Sequence, residues 1–138
     1  IGLVGSEMCI ETDTDEIGQL LGRRVQSRQE VIDAAWELHQ SGIPYVVVSL
    51  GKDGSVMACE EGIFQGITPD IPVVNTVGCG DSMVAGFAAA MARGKGPEEM
   101  LRLATAVSTA NALTMQTGHF EQEDLDRVLP LTAVKKIK

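Results

Sequence analysis

The run Asn75-Thr-Val-Gly-Cys-Gly-Asp-Ser-Met-Val-Ala-Gly-Phe87 sets Gly78 and Gly80 on either side of one small residue and follows them with Asp81 at the head of a helical pattern. Glycines at that spacing let the backbone turn sharply and aim successive N–H groups into one concavity. The start of a helix adds partial positive charge, so the segment favours an anion. Asp81, itself negative, is a poor ligand for phosphate. It is well suited to take a proton from a hydroxyl that attacks one. Taken alone, residues 78–81 also fit a tight turn with an aspartate cap, because short glycine motifs are common.

Downstream, the small-residue helix that opens at Asp81 closes at Gly94. Pro97 starts the next helix, with Glu98 and Glu99 in its acidic first turn, and the pattern runs through Met115. Residues 121–129 read as a short helix, and 134–138 (VKKIK) as a solvated tail or a last edge strand. Upstream, Ser27 and Glu30 make a capping-box pattern and Gly42 stands where a helix ends. Val31, Ala35 and Leu38 share one face at helical spacing, which leaves Trp36 one residue off the stripe as a packing residue. Residues 45–50 (YVVVSL) are β-branched or apolar nearly throughout, the pattern of a parallel-sheet strand buried on both faces. Turn chemistry at 51–54 (GKDG) leads to a strand at 55–59, a turn at 60–62 and a strand at 63–67. Residues 1–9 are apolar enough for one more strand. This order predicts an α/β fold with an antiparallel margin, in one structural unit over residues 1–138.

The 138 residues carry 19 acidic and 11 basic side chains, a net charge of −8. That balance disfavours nucleic acid as a partner, because a phosphate backbone calls for a basic face. No apolar run reaches the roughly 18–20 residues that span a bilayer, and the first residues lack the order of a secretory signal. The expected setting is cytoplasmic, without membrane contact. Cys9, Cys59 and Cys79 are scattered and odd in number, and His39 and His119 lack ligand spacing. Neither a disulfide framework nor a zinc site is predicted.

The context of the glycine turn resembles the second signature of the PfkB, or ribokinase-like, family of sugar kinases. That signature is a TxGAGD-like loop opening a helix, and Cys79 stands at its usual middle alanine. The fuller run VNTVGCGDSMVAGF is more similar to the 1-phosphofructokinase and tagatose-6-phosphate kinase branch than to ribokinase itself. The resemblance implies that Gly78, Cys79 and Gly80 supply an anion hole for a transferring phosphoryl group and that Asp81 is the catalytic base. Ser49-Leu-Gly-Lys-Asp-Gly54, after the buried strand, resembles the family's SLGxxG nucleotide-binding turn. It implies Ser49, Gly51 and Gly54 along the ATP phosphates and ribose, with Lys52 and Asp53 largely solvated in the same turn. Lys52, Gly80 and Asp81 count with the nucleotide-binding set. Residues 106–118 resemble the stretch whose small side chains wall the adenine, which makes Ala110, Asn111 and Gly118 candidates. An Ala-rich buried helix is the competing reading there.

Where the family carries Lys-Pro-Asn-x-x-Glu-Leu, this chain has Glu11-Thr-Asp-Thr-Asp-Glu-Ile17. In that family the region helps arrange Mg²⁺ and the ATP phosphates, so Glu11 brings a like charge toward the triphosphate. Asp13 and Glu16 are the candidate metal residues, through water, since Mg²⁺ takes oxygen ligands and keeps part of its hydration. They also read as acidic residues that complement a helix N-terminus. The resemblance covers residues 13–130 and implies the C-terminal, nucleotide-binding half of a three-layer α/β/α ribokinase-like sandwich. On that basis the strands beside which 45–50 packs are expected to lie outside residues 1–138. The implied function is ATP-dependent phosphorylation of a sugar phosphate hydroxyl with Mg²⁺. ATP and a sugar phosphate are the implied partners, with a homodimer as the assembly allowed. A catalytically incompetent nucleotide-binding or structural fragment of such a kinase is the alternative.

Overall fold

Residues 46–48 are all valine and all fully buried, so one strand carries apolar surface on both faces and each face needs a cover. The computed structural model describes residues 2–4, 9–50, 53–69, 79–113 and 122–137. Strand β1 (Gly2–Val4) is antiparallel to β2 (Cys9–Asp13), and β2 runs parallel to β3 (Tyr45–Ser49). Strands β4 (Ser55–Cys59), β5 (Gly62–Ile67) and β6 (Ala133–Lys136) follow, each antiparallel to the one before. The result is a six-stranded sheet in chain order, α/β in class with the expected antiparallel margin.

One expectation changes. β3 is flanked by β2 and β4, both from this chain, so its neighbours do not lie outside residues 1–138. Apolar content on two faces reports burial and is silent on which strands supply it. The apolar stretch at 1–9 holds β1 and only the first residue of β2. Of the two readings of residues 134–138, the edge strand is the one observed: β6 ends the sheet, with Lys135 and Lys136 exposed.

Helices α1 (Thr14–Leu21) and α2 (Arg28–Gln40) cover one face, where Val46, Val48, Val56, Ala58 and Ile63 meet Ile17, Val31, Ile32 and Ala35. Helices α3 (Cys79–Ala92) and α4 (Pro97–Ala112) cover the other, where Val47, Met57 and Phe64 meet Met83, Phe87, Met100 and Leu101. Helix α5 (Gln122–Val128) packs Leu125 and Val128 on Ala106, Val107 and Ala110 of α4. These are the three layers the sequence implied. The capping box at α2 forms as read: Ser27 Oγ accepts from the Glu30 N–H at 3.1 Å, and Glu30 Oε1 accepts from the Ser27 N–H at 3.1 Å. A cap contributes about 1 kcal/mol, whereas each fully buried valine or leucine contributes roughly 1.5–3 kcal/mol. The two apolar faces therefore carry the fold, and the caps set where its helices begin.

Helix α3 begins at Cys79, two positions ahead of the Asp81 start read from the pattern, and α4 ends at Ala112 ahead of Met115. The short link at 93–96 folds α3 and α4 into an antiparallel hairpin. Small residues let the two backbones nearly touch: a Cβ on Gly86 would lie 2.7 Å from Ala104 Cα. Backbone atoms cannot rotate out of the way as a side-chain tip can. Gly86→Val is expected to lower stability by about 1–3 kcal/mol through overpacking. A urea unfolding midpoint equal to wild type would contradict the close approach.

Candidate functional site

β2 and β3 are the parallel pair, and in open α/β sheets ligands gather beyond the carboxyl ends of parallel strands. At that end Asp13 and Ser49 are register partners, and Ser49 Oγ donates to the Thr12 carbonyl at 3.3 Å. Past Ser49 the chain reverses. The Leu50 N–H donates to the Gly54 carbonyl at 2.8 Å and the Asp53 N–H to the Leu50 carbonyl at 3.2 Å. Gly54 closes the turn with φ +91°, a backbone region that side chains rarely adopt, and a Cβ there would collide with the Gly66 carbonyl oxygen. The glycine is required twice, by conformation and by space.

Beneath this turn lies a polar contact inside the core. Ser55 and Thr105 are buried, and their hydroxyl oxygens sit 3.3 Å apart, joining the start of β4 to the middle of α4. Both pack on bare backbone: a Cβ on Gly66 would lie 2.5 Å from Ser55 Oγ and 2.6 Å from Thr105 Oγ1. One turn along α4, Thr109 Oγ1 donates to the Thr105 carbonyl at 2.8 Å. Ala110 and Asn111 follow, both fully buried in the last turn of that helix.

The antiparallel hairpin, with Gly86 against Ala104, sets the first turn of α3 beside the last turn of α4. The start of α3 at Cys79, Gly80 and Asp81 thus lies at the same end of the hairpin as the last turn of α4, which carries Ala110 and Asn111. The N–H groups opening α3 have no partners within their own helix, which is what an anion needs. Among the sequence candidates, the structure brings Ser49 next to Asp13, and Gly54 next to the β4–α4 contact. It sets residues 79–81 and residues 110 and 111 at one end of the α3–α4 hairpin. Gly51, Lys52, Gly78 and Gly118 lie outside the described residues.

Asp13 and Glu16 form a reciprocal cap on α1. Asp13 Oδ1 accepts from the Glu16 N–H at 2.8 Å, and Glu16 Oε1 accepts from the Asp13 N–H at 3.3 Å. The helix-terminus reading of these acids is thereby realised. Among the described residues no group of three or more His, Cys, Asp and Glu side chains is placed to hold a metal ion. Cys59 is buried, and burial, with hydrogen bonding to Glu61, pushes its thiol up to about 11, so it is not a nucleophile at neutral pH. His39 is engaged through Nδ1 with the Ile43 carbonyl at 2.7 Å. A cavity of about 460 Å³ lined by Arg28, Gln65 and Lys135 opens between α2 and the β5–β6 edge, on the sheet face opposite α3 and α4. No helix among the described residues is long and apolar enough to cross a membrane.

Sequence reasoning passed over Ser55, Gly66 and Thr105. Its only signals were a hydroxyl heading an otherwise apolar strand and a threonine inside an Ala-rich helix. Neither carries a spacing that pairs residues fifty positions apart.

A sheet sandwiched between helix layers, with a glycine turn after a parallel strand and a helix opening on a Gly-Asp step, has the architecture of the ribokinase-like sugar kinases. The structure superimposes on phosphofructokinase-2 from Escherichia coli in complex with potassium with a TM-score of 0.84, at 30% identity over 89% of this chain and 40% of that one. It also matches the ribokinase of Arabidopsis thaliana complexed with ribose and ATP, with a TM-score of 0.77 at 27% identity, over 88% of this chain and 40% of that one. The model of the pfkB family of carbohydrate kinases matches residues 9–124, and the chain belongs to that family. It is 33% identical over 135 residues to the 1-phosphofructokinase of Haloferax volcanii, covering 91% of this chain and 43% of that protein. It is 34% identical over 120 residues to the tagatose-6-phosphate kinase of Staphylococcus epidermidis, covering 86% of this chain and 39% of that protein. The chain therefore spans about two fifths of the length of these relatives.

The Gly54 geometry is directly testable. Gly54→Ala is expected to destabilise by about 2 kcal/mol or more, combining the cost of a left-handed residue, about 1–2 kcal/mol, with the clash at Gly66. A stability by chemical denaturation within experimental error of wild type would contradict it.

Proposed function

We propose that this chain is the nucleotide-binding and phosphoryl-transfer part of an ATP-dependent kinase that acts on a hydroxyl of a sugar phosphate, of the fructose 1-phosphate or tagatose 6-phosphate type. The observation that carries this reading is the position of Asp81. It lies in the first turn of α3, where backbone N–H groups have no acceptor within their own helix. Gly78, Cys79 and Gly80 would contribute their amides to an anion hole that receives charge developing on the γ-phosphoryl oxygens. Asp81 would take the proton from the attacking hydroxyl, and the transferred group would pass to that oxygen as ADP leaves. Ser49, Gly51, Lys52 and Gly54 would line the nucleotide phosphates and ribose, with Ala110, Asn111 and Gly118 beside the base. The names of the relatives support the phosphosugar class of substrate.

Mg²⁺ is the implied metal. Asp13 and Glu16 offer the hard oxygen donors it takes, though one oxygen of each is engaged in the α1 cap, so they would hold it through water. When bound, it supplies charge neutralisation on the β- and γ-phosphate oxygens. Residues 1–138 would act as one unit, in the cytoplasm, with a homodimer as the assembly.

A second reading has an observation of its own. Glu11 and Thr12 occupy β2 where the family carries Lys and Pro, and the chain spans two fifths of its relatives. A nucleotide-binding part without turnover fits both. Calorimetry with ATP and Mg²⁺, followed by a coupled ADP-release assay on fructose 1-phosphate and tagatose 6-phosphate, separates the two. Binding without release favours the second. In the protein that turns over, Asp81→Asn is expected to cut the rate by about 10²–10⁴-fold with nucleotide affinity largely kept. Wild-type turnover in that variant would sink the assignment.

A further inference from the structure

We propose that Ser55 and Thr105 are positioning residues: their buried hydroxyl contact holds Leu50, Asp53 and Gly54, the described residues of the turn after β3, at a fixed separation from the end of α4 and so sets the width of the nucleotide cleft. The proposal rests on reading that turn and that helix end as the two walls of the nucleotide site.

The contact is costly as a stabilising device. Burying two hydroxyls forfeits their hydration, and an apolar pair of the same shape is commonly as stable or more so. What a hydroxyl pair adds is direction, since its hydrogen bond weakens outside a limited range of separation and angle. Its surroundings transmit that geometry in both directions. Toward the turn, Ser55 Oγ and Thr105 Oγ1 bear on the Gly66 backbone, and the Gly66 carbonyl abuts Gly54, which accepts the Leu50 N–H at 2.8 Å. Toward the helix end, the Thr105 carbonyl receives Thr109 Oγ1 at 2.8 Å, one residue before Ala110. Every link is backbone or a short side chain, so little slack separates Leu50 from the last turn of α4. Gly54 and Gly66 admit no Cβ, which leaves the turn no space to drift closer to the contact.

Amide hydrogen exchange on the isotopically labelled chain tests this without requiring turnover. Thr105→Val removes the hydroxyl with its shape kept and leaves Ser55 Oγ unsatisfied; Ser55→Ala removes the other side. In both, the Leu50 and Asp53 amides are expected to exchange roughly tenfold faster, while those of Val46, Val47 and Val48 keep their rates. Thr105→Ser, which retains the hydroxyl, is expected to restore wild-type exchange. Unchanged turn amides, or acceleration shared equally by residues 46–48, would overturn the proposal. ADP titration gives an independent arm. Where ADP binds the wild-type chain, a severalfold weaker affinity in Thr105→Val with recovery in Thr105→Ser supports the positioning role, and equal affinity in all three refutes it. Absence of ADP binding to wild type, alongside the exchange pattern above, would refute the nucleotide reading and the cleft-setting role with it. The hold on the turn would then stand as a property of the fold.

Discussion

The structure depends on the double burial of β3. Residues 46–48 point alternately to opposite faces and none is accessible to water, so a single helix layer cannot complete the fold. Helices α1 and α2 close one face, and α3 and α4 the other. Once both faces are closed, connections can cross only at the ends of the strands, where backbone groups still reach water or one another. The turn after β3, the junction of β2 with α1 and the start of β4 therefore collect at one end of the sheet. The concentration of chemistry-bearing residues there is a consequence of how the core is covered.

Close approach is the second requirement. Gly86 lets α3 lie against the α4 backbone, and Gly66 lets α4 bear on β5 through Thr105. Both contacts remove side-chain bulk between packed elements and replace it with backbone, which is stiffer. The proposed phosphate site would benefit from such rigidity, because an oriented donor stabilises charge without first reorganising. The Ala-rich character of α3 and α4 reflects this: their small residues set the spacing between helices, while Phe87, Met100 and Leu101 are their largest fully buried side chains.

Much of this was legible in the residues. The Ser27–Glu30 cap, the strand at 45–49 and the hairpin at 55–67 follow from local patterns whose physics acts within a few positions. The start of α3 was harder to read, because glycine and cysteine have poor intrinsic helix propensity, so the pattern alone points to a later start. The neighbours of β3 were misassigned for a different reason: alternation specifies which faces are covered and says nothing of partner strands. At the site, Asp13 and Glu16 carried two meanings in sequence, and the helix cap is the one the structure displays. Ser55 and Thr105 were illegible, since a single hydroxyl contact between distant segments leaves no periodic trace.

The closing strand has its own bearing on how copies of this chain meet. Among the described residues β6 ends the sheet, its outer side carrying a row of main-chain donors and acceptors with no strand partner, a template for pairing with an extended segment. Lys135 and Lys136 stand exposed on it in a chain of net charge −8. Two such edges brought together would confront ammonium with ammonium across a shared ladder, so like-charge repulsion steers self-association to other surfaces. The same charges attract acidic chains, and salt weakens both tendencies, because exposed charges are screened over about 8 Å at physiological ionic strength. The edge is thus a selective gatekeeper.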